Sequence, residues 1–379
     1  MNNRAELKKA RRVVVKIGSS LICDQERLSQ GRLRALANQI AQLRNRGLEV
    51  VLVSSGAVAA GVRKLGLPQR PQTLILKQAC ASAGQVSLMT SWEKALGTFN
   101  LKCAQILLTA DDLSDRRRFL NARNTMLSLV DLGVVPIVNE NDTIAVEELK
   151  VGDNDTLGAL VASLVEADLF INLTDLDGLF DSDPRLNQDA KLVTEVSEVD
   201  QKMLDAAGDS GPMGTGGMFT KVRAAGRLAE RGVPSLIANG QARDILERLI
   251  NGEELGTFFQ PSKKHRRAKQ YWLAFAARPK GRLLIDQGAA EAVVNRGKSL
   301  LPGGITGLDG LFDAGDAVTL AAAQDGTELG VGLTNYSSPE IEKIMGLSSV
   351  LIESVLGCSH SDEVVHRNNL VIFNGQQTK

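Results

Sequence analysis

Two lysines and one run of acidic residues hold most of the chemistry this sequence can do. Lys16 stands in Val13-Val14-Val15-Lys16-Ile17, a β-branched run in which a charge is out of place. A lysine is rarely buried without a partner. It either points to solvent from an edge strand or reaches from the strand end to an anion such as a transferring phosphoryl group. Lys221 closes the stretch Gly214-Thr215-Gly216-Gly217-Met218-Phe219-Thr220-Lys221. Glycine-rich backbone can close its N–H groups around phosphate oxygens, and a lysine then neutralises them. The stretch is neither of the common nucleotide loops. A Walker A loop requires Gly-Lys-Ser/Thr where Thr220-Lys221-Val222 stands, and a dinucleotide loop requires glycine where Phe219 stands. Gly297-Lys298-Ser299 is a decoy, because Ala292 occupies the place of its first glycine.

The acidic run is Lys150-Val151-Gly152-Asp153-Asn154-Asp155, at the start of a helical segment. One acid there is an ordinary helix cap. Asp153 and Asp155 around Asn154, following Asn139 and Asp142, exceed what capping needs. Such a set repels an anion. It suits an α-ammonium group, or it organises lysines and Mg²⁺.

If the acceptor of a phosphoryl group is itself a carboxylate, no general base is required. A glutamate side chain, with a pKa of about 4.3, is ionised by roughly 500 to 1 at about pH 7. Catalysis then reduces to positioning and charge stabilisation. A lysine ~4 Å from a phosphoryl charge contributes about 4 kcal/mol at a near-surface dielectric. The absence of histidine and cysteine from these motifs agrees with such chemistry.

The elements that position these residues alternate. Strand-like runs at 13–17, 50–53, 104–108, 134–138, 169–173 and 234–238 are separated by helical spacing at 33–43, 74–96, 119–129, 157–165 and 221–230. This predicts a mostly parallel sheet with helices on both faces. Small, acidic and glycine residues follow the strands: Gly18-Ser19-Ser20, Ser54-Ser55-Gly56-Ala57, Asn139-Glu140-Asn141-Asp142, Thr174-Asp175 and Asn239-Gly240. Parallel strand ends share one edge, where ligands bind, so these residues converge in space.

Lys263-Lys264-His265-Arg266-Arg267 marks a basic linker at 263–277. Beyond it, short strand-like runs at 281–286, 300–305 and 311–318 with glycine turns predict a small β-rich domain. The expected boundaries are 1–262, a linker, and 278–379.

Composition narrows the class. Hydrophobic residues are 43% and aromatics only 4%, which suits aliphatic packing on a parallel sheet. Lys+Arg and Asp+Glu both number 44, so no global charge draws the chain to nucleic acid or membrane. Cysteines at 23, 80, 103 and 358 form no Cys-x-x-Cys pair, and no His-Glu-x-x-His occurs. A disulfide framework and a protein-held zinc are not expected, and a reducing cytoplasm is. Lys16 interrupts the only signal-like start after three apolar residues, and no apolar run reaches the roughly 18 residues of a membrane span.

Val15 to Ser20, Val53 to Ala57, Asn139 to Asp142, Lys150 to Asp155, Leu173-Thr174-Asp175, Gly178-Leu179 and Gly214 to Lys221 together resemble the amino acid kinase family. The Asn-Glu-Asn-Asp and Lys-Val-Gly-Asp-Asn-Asp segments narrow the resemblance to members that phosphorylate the 5-carboxylate of glutamate. Gly281 to Ala290 and Ser299 to Ile305 resemble a PUA domain. The resemblance implies an α/β fold, a three-layer αβα sandwich with a mostly parallel sheet, followed by a small β-rich PUA-like barrel. It implies transfer of the ATP γ-phosphoryl to L-glutamate for proline synthesis. Lys16 and Lys221 would stabilise the phosphoryl group, and Asp155 would orient both. Ser55, Asp142 and Asn154 would bind glutamate, with Gly56, Ala57 and Asp153 close by. Lys16, Thr174, Asp175, Thr215, Gly216, Gly217, Met218, Phe219, Thr220 and Lys221 would bind ATP with Mg²⁺, with no protein metal ligand assigned. Phe219 departs from the small residue expected there.

The resemblance also implies a homo-oligomer, dimer or tetramer, inhibited by proline. No reductase segment follows, so a separate glutamyl phosphate reductase is expected to consume the product. Two readings stand beside this one. Another amino acid kinase would act on aspartate, acetylglutamate or carbamate. RNA binding through residues 263–360 is the weaker, because few aromatics accompany the basic run.

Overall fold

The computed structural model describes residues 1–24, 26–145, 154–184, 187, 189–208, 217–263, 268–357 and 361–373. The chain forms two compact units, Met1–Leu113 with Arg117–Arg266, and Ser114–Arg116 with Arg267–Lys379.

The first unit carries strands β1 (Arg12–Ile17), β2 (Cys23–Asp24), β3 (Arg27–Leu28), β4 (Glu49–Ser54), β5 (Cys103–Leu108), β6 (Val135–Glu140), β7 (Leu169–Thr174), β8 (Glu195–Val196), β9 (Ser235–Asn239) and β10 (Thr257–Phe259). β2 and β3 pair as a short ribbon, and the others form one sheet in the order β5-β6-β4-β1-β7-β9-β10-β8. Pairing is parallel except between β9 and β10. Every strand expected between 13–17 and 234–238 is present. β8 and β10 were not foreseen, because two or three residues carry no readable period.

β1 lies between β4 and β7, and its side chains divide between two layers. Val13, Val15 and Ile17 join a core with Leu33, Leu36 and Ile40 of the helix Gln30–Asn45, and with Ile245 and Leu249 of the helix Ile245–Ile250. Val14 and Lys16 alternate to the other face. There they stand in register beside Phe170 and Asn172 of β7. The Asp168 carboxylate, just before β7, accepts the backbone N–H groups of Arg11 and Arg12 at 2.8 and 2.9 Å, which pins that register.

The helix Asn154–Leu164 covers this second face. A β-carbon on Gly158 would stand 2.8 Å from the Phe170 ring and 3.5 Å from Lys16 Cβ. Glycine therefore lets the helix settle onto β1 and β7. The helix Met218–Arg231 lies alongside, with Val222 and Ala225 packed near Ile237 and Phe259. Helices on both faces of the sheet give three αβα layers.

The second unit contains β11 (Gly281–Ile285), β12 (Ile305–Asp309), β13 (Ala317–Ala322), β14 (Glu328–Thr334) and β15 (Val365–Ile372), in the order β12-β11-β13-β14-β15. Its core includes Leu283, Ile285, Val318, Leu320, Ile341 and Ile344. Three local expectations change. Pro302–Gly304 is a 3₁₀ turn rather than strand, and residues 311–316 lie before β13 rather than in it. Ala268–Phe275, placed in the basic linker, is a helix with Tyr271, Trp272 and Leu273 buried. Its apolar residues outweigh the basic run before it, of which 264–267 lie outside the described residues.

Candidate active site

The strand ends of the first unit bring the predicted chemistry to one edge. Lys16 is the penultimate residue of β1 and is 4% exposed. Asp155 lies in the first turn of the helix Asn154–Leu164, one turn before Gly158 and on the same side, and is fully buried. Lys221 belongs to the first turns of the helix Met218–Arg231 and is 6% exposed.

These three side chains form one bridge. Lys16 Nζ meets Asp155 Oδ1 at 2.5 Å, and Lys221 Nζ meets Oδ2 at 3.0 Å. Asn172 Nδ2 donates to Oδ1 at 2.8 Å. The Thr220 hydroxyl lies 2.8 Å from Oδ2 and equally close to the Gly217 carbonyl oxygen. Burial pushes the Asp155 carboxyl up, but the Lys16 and Lys221 ammonium groups and the hydrogen bonds from Lys16 and Asn172 outweigh it. The carboxyl is held well below the usual carboxylate range. The position of Asp155 at a helix N-terminus acts in the same direction. The result is a buried pair of cations that share one anion, beside the start of a second helix. An anion with several oxygens fits that arrangement.

Gly217 caps the helix Met218–Arg231 with no side-chain cap bond, so the helix begins inside the stretch read as a loop. Met218, Phe219, Thr220 and Lys221 are therefore helical. Phe219 needs no glycine-like backbone there, and the Arg223 guanidinium covers its ring at 5.3 Å. Asp153, Thr215 and Gly216 lie outside the described residues, as do Lys150 to Gly152 and Gly214.

A neutral network lies next to the lysine bridge. Asn154 Nδ2 donates to Ser55 Oγ at 2.7 Å and to Asn139 Oδ1 at 3.0 Å. Asn139 in turn donates to Gln85 Oε1 at 2.9 Å. Asn154 Oδ1 is buried and accepts no hydrogen bond from the described residues. Ser55 follows β4. Gly56 has φ +109°, a conformation that glycine adopts without strain, and it starts the helix Ala57–Lys64. Asp142 lies in the turn after β6. Thr174 ends β7, and its hydroxyl donates to Asp175 at 3.1 Å.

Two members of these networks were in no predicted site. Asn172 had a readable signal, since it interrupts Leu169-Phe170-Ile171 much as Lys16 interrupts Val13-Val14-Val15. Gln85 had none, being one polar residue among several on a long helix. A cleft of about 370 Å³ opens at the other edge of the sheet, among Lys9, Glu166, Asp168 and Arg231. It shares no residue with this constellation.

Among the described residues no group of three or more His, Cys, Asp or Glu side chains is arranged to hold a metal ion, and no helix is long and apolar enough to cross a membrane.

A three-layer αβα unit with lysines from its first strand and a late helix meeting on one carboxylate defines a class. The sequence profile of the amino acid kinase family matches residues 11–239, and the chain belongs to that family. The PUA domain profile matches residues 281–356. Glutamate 5-kinase of Syntrophotalea carbinolica is 48% identical over 367 residues, covering 97% of this chain and 98% of its own. Glutamate 5-kinase of Caldanaerobacter subterraneus is 49% identical over 364 residues, 96% of this chain and 98% of its own. That of a Geobacter species is 48% identical over 369 residues, 97% and 99% of the two chains.

Proposed function

We propose that this chain transfers the γ-phosphoryl group of ATP to the side-chain carboxylate of L-glutamate, giving L-glutamyl 5-phosphate, the first step of proline biosynthesis. The observation that carries the reading is the buried Lys16–Asp155–Lys221 bridge, in a chain that matches glutamate 5-kinases over nearly its whole length.

A carboxylate oxygen of glutamate attacks Pγ in line. The bond from Pγ to the bridging oxygen breaks, and ADP leaves with the electron pair. No proton is transferred, so no base is needed. Lys16 and Lys221 stabilise the charge on the transferring group. Asp155 keeps the two ammonium groups apart and aimed.

Ser55, Asn154 and Asp142 bind glutamate, with Gly56, Ala57 and Asp153 beside them. The unpartnered Asn154 Oδ1 suits the α-ammonium group. Thr174, Asp175, Thr215, Gly216 and the helix start from Gly217 to Lys221 hold ATP. Mg²⁺ would supply further neutralisation of the phosphates. Nucleotide phosphate oxygens and water would hold it, and no protein ligand is assigned.

The kinase activity is assigned to residues 1–262. Proline inhibition, a homo-oligomeric state, a cytoplasmic location and a separate glutamyl phosphate reductase belong to the same reading.

The test is ATP, Mg²⁺ and L-glutamate with hydroxylamine as the trap. The expected product is γ-glutamyl hydroxamate, reduced on the order of a hundredfold or more in Lys221→Ala. No product above that variant, or faster product from aspartate, acetylglutamate or carbamate, overturns the reading.

A further inference from the structure

Each oxygen of Asp155 is served in the same way. Oδ1 accepts from one cation, Lys16, and one neutral donor, the Asn172 amide, at 2.5 and 2.8 Å. Oδ2 accepts from Lys221 at 3.0 Å and lies 2.8 Å from the Thr220 hydroxyl.

Asn172 is an unusual resident of its strand. Its residue neighbours on β7, from Leu169 to Leu173, are apolar, and it is only 1% exposed. Its side-chain Oδ1 is buried and accepts no hydrogen bond from the described residues. A half-satisfied amide in a dry strand is costly, and leucine would suit a central parallel strand better. The ladder with β1 and β9 uses the Asn172 backbone and asks nothing of its side chain. Among the described residues its side-chain hydrogen bond goes to Asp155.

We propose that Asn172 is a positioning residue for phosphoryl transfer, holding Asp155 Oδ1 so that the two lysines stay on opposite carboxylate oxygens. Rotation about the last bond of an aspartate is soft. As the lysines turn toward a phosphoryl group, a carboxylate held by them alone would follow one or the other. Asn172 comes from a different element than either lysine and does not move with them. The register that sets Asn172 beside Lys16 gives it the reach. The inference rests on the phosphoryl-transfer reading, though not on glutamate being the acceptor.

Two variants test it. Asn172→Leu removes the donor and the unpaired oxygen while filling the space. Asn172→Asp keeps the shape but donates to Asp155 only when protonated. ADP release is followed over about pH 6 to 9, with whichever carboxylate acceptor the unaltered chain turns over. Failure of glutamate is then seen in the unaltered chain alone. Calorimetry with a non-hydrolysable ATP analogue and thermal melting give readouts independent of turnover.

Asn172→Leu should lower kcat about tenfold or more while both KM values and the analogue affinity stay within about twofold. Asn172→Asp should gain kcat as pH falls, because its ionised form repels Asp155. Unchanged kcat in Asn172→Leu overturns the proposal. So does a loss of kcat matched by equal losses of analogue affinity and melting temperature, or a pH profile of Asn172→Asp parallel to that of the unaltered chain.

Discussion

Gly84 lies so close to Ala57 that a β-carbon on Gly84 would stand 1.8 Å from the Ala57 carbonyl oxygen. A β-carbon on Gly61 would stand at the same distance from the Cys80 carbonyl oxygen. The helices Ala57–Lys64 and Leu74–Gly97 thus cross backbone to backbone. That crossing sets Ser55 and Gly56 on one side of the neutral network, and Gln85, next to Gly84, on the other.

Gly84→Ala should therefore push the helix Ala57–Lys64 off its seat. Overpacking costs typically about 1–3 kcal/mol, and a backbone oxygen has little room to yield. The expected result is a lower melting temperature and a KM for the amino acid raised several-fold, with a smaller change for ATP. Equal changes in both KM values would show that the crossing does not serve the acceptor side.

Asp155→Asn should be the most damaging single change at the lysine bridge. It removes the counter-charge that the two buried ammonium groups share, and breaking a buried pair by removing one partner costs about 3–5 kcal/mol. Turnover should fall by roughly 10²–10³. Denaturant unfolding and the hydroxamate assay measure the two effects separately.

The same carboxylate predicts a pH dependence of stability. Burial raises its pKa, but Lys16 and Lys221 win, and the folded value lies below the ordinary one. A depressed pKa contributes stability that is present above the unfolded-state value, about 4, and lost as pH falls through the folded value. The difference in melting temperature between the unaltered chain and Asp155→Asn should be flat above about pH 5 and shrink below about pH 4. A difference that grows on acidification would refute this sign.

Lys16→Met should separate catalysis from folding. Methionine keeps the apolar stem, and Asp155 retains Lys221 at 3.0 Å. The expected loss is about 10²–10³ in kcat, with a smaller stability loss than Asp155→Asn.

Phe219→Ala should matter little. The ring and Arg223 form an i, i+4 pair on one helix, worth about 0.5–1 kcal/mol at a partly exposed site. The KM for ATP should change less than about threefold. A larger rise would place the ring against the nucleotide.

Residues that violate their surroundings made much of this architecture legible. Lys16 in a valine run and glycines before a lysine stood out because burial and backbone freedom make them expensive elsewhere. The parallel strands were readable because both faces are covered, so nearly every position is apolar. β8 and β10 were not, since an edge of two or three residues is held by its neighbours rather than by its own pattern. The start of the helix at Met218 was hidden because Gly217 caps it without a side-chain bond, leaving no capping residue to read. Gln85 was invisible for a different reason. Its value comes from Asn139, a partner remote in sequence, met from a helix that crosses its neighbour at Gly61 and Gly84.

The strand order carries a consequence for the growing chain. β1 is made first, yet one of its two neighbours in the sheet, β7, is made after β4, β5 and β6. During translation Lys16 leaves the ribosome long before Asp155 or Asn172 exists to receive it. An unneutralised lysine is costly to bury, so closing the sheet on β7 and bringing Asp155 to Lys16 are expected to coincide.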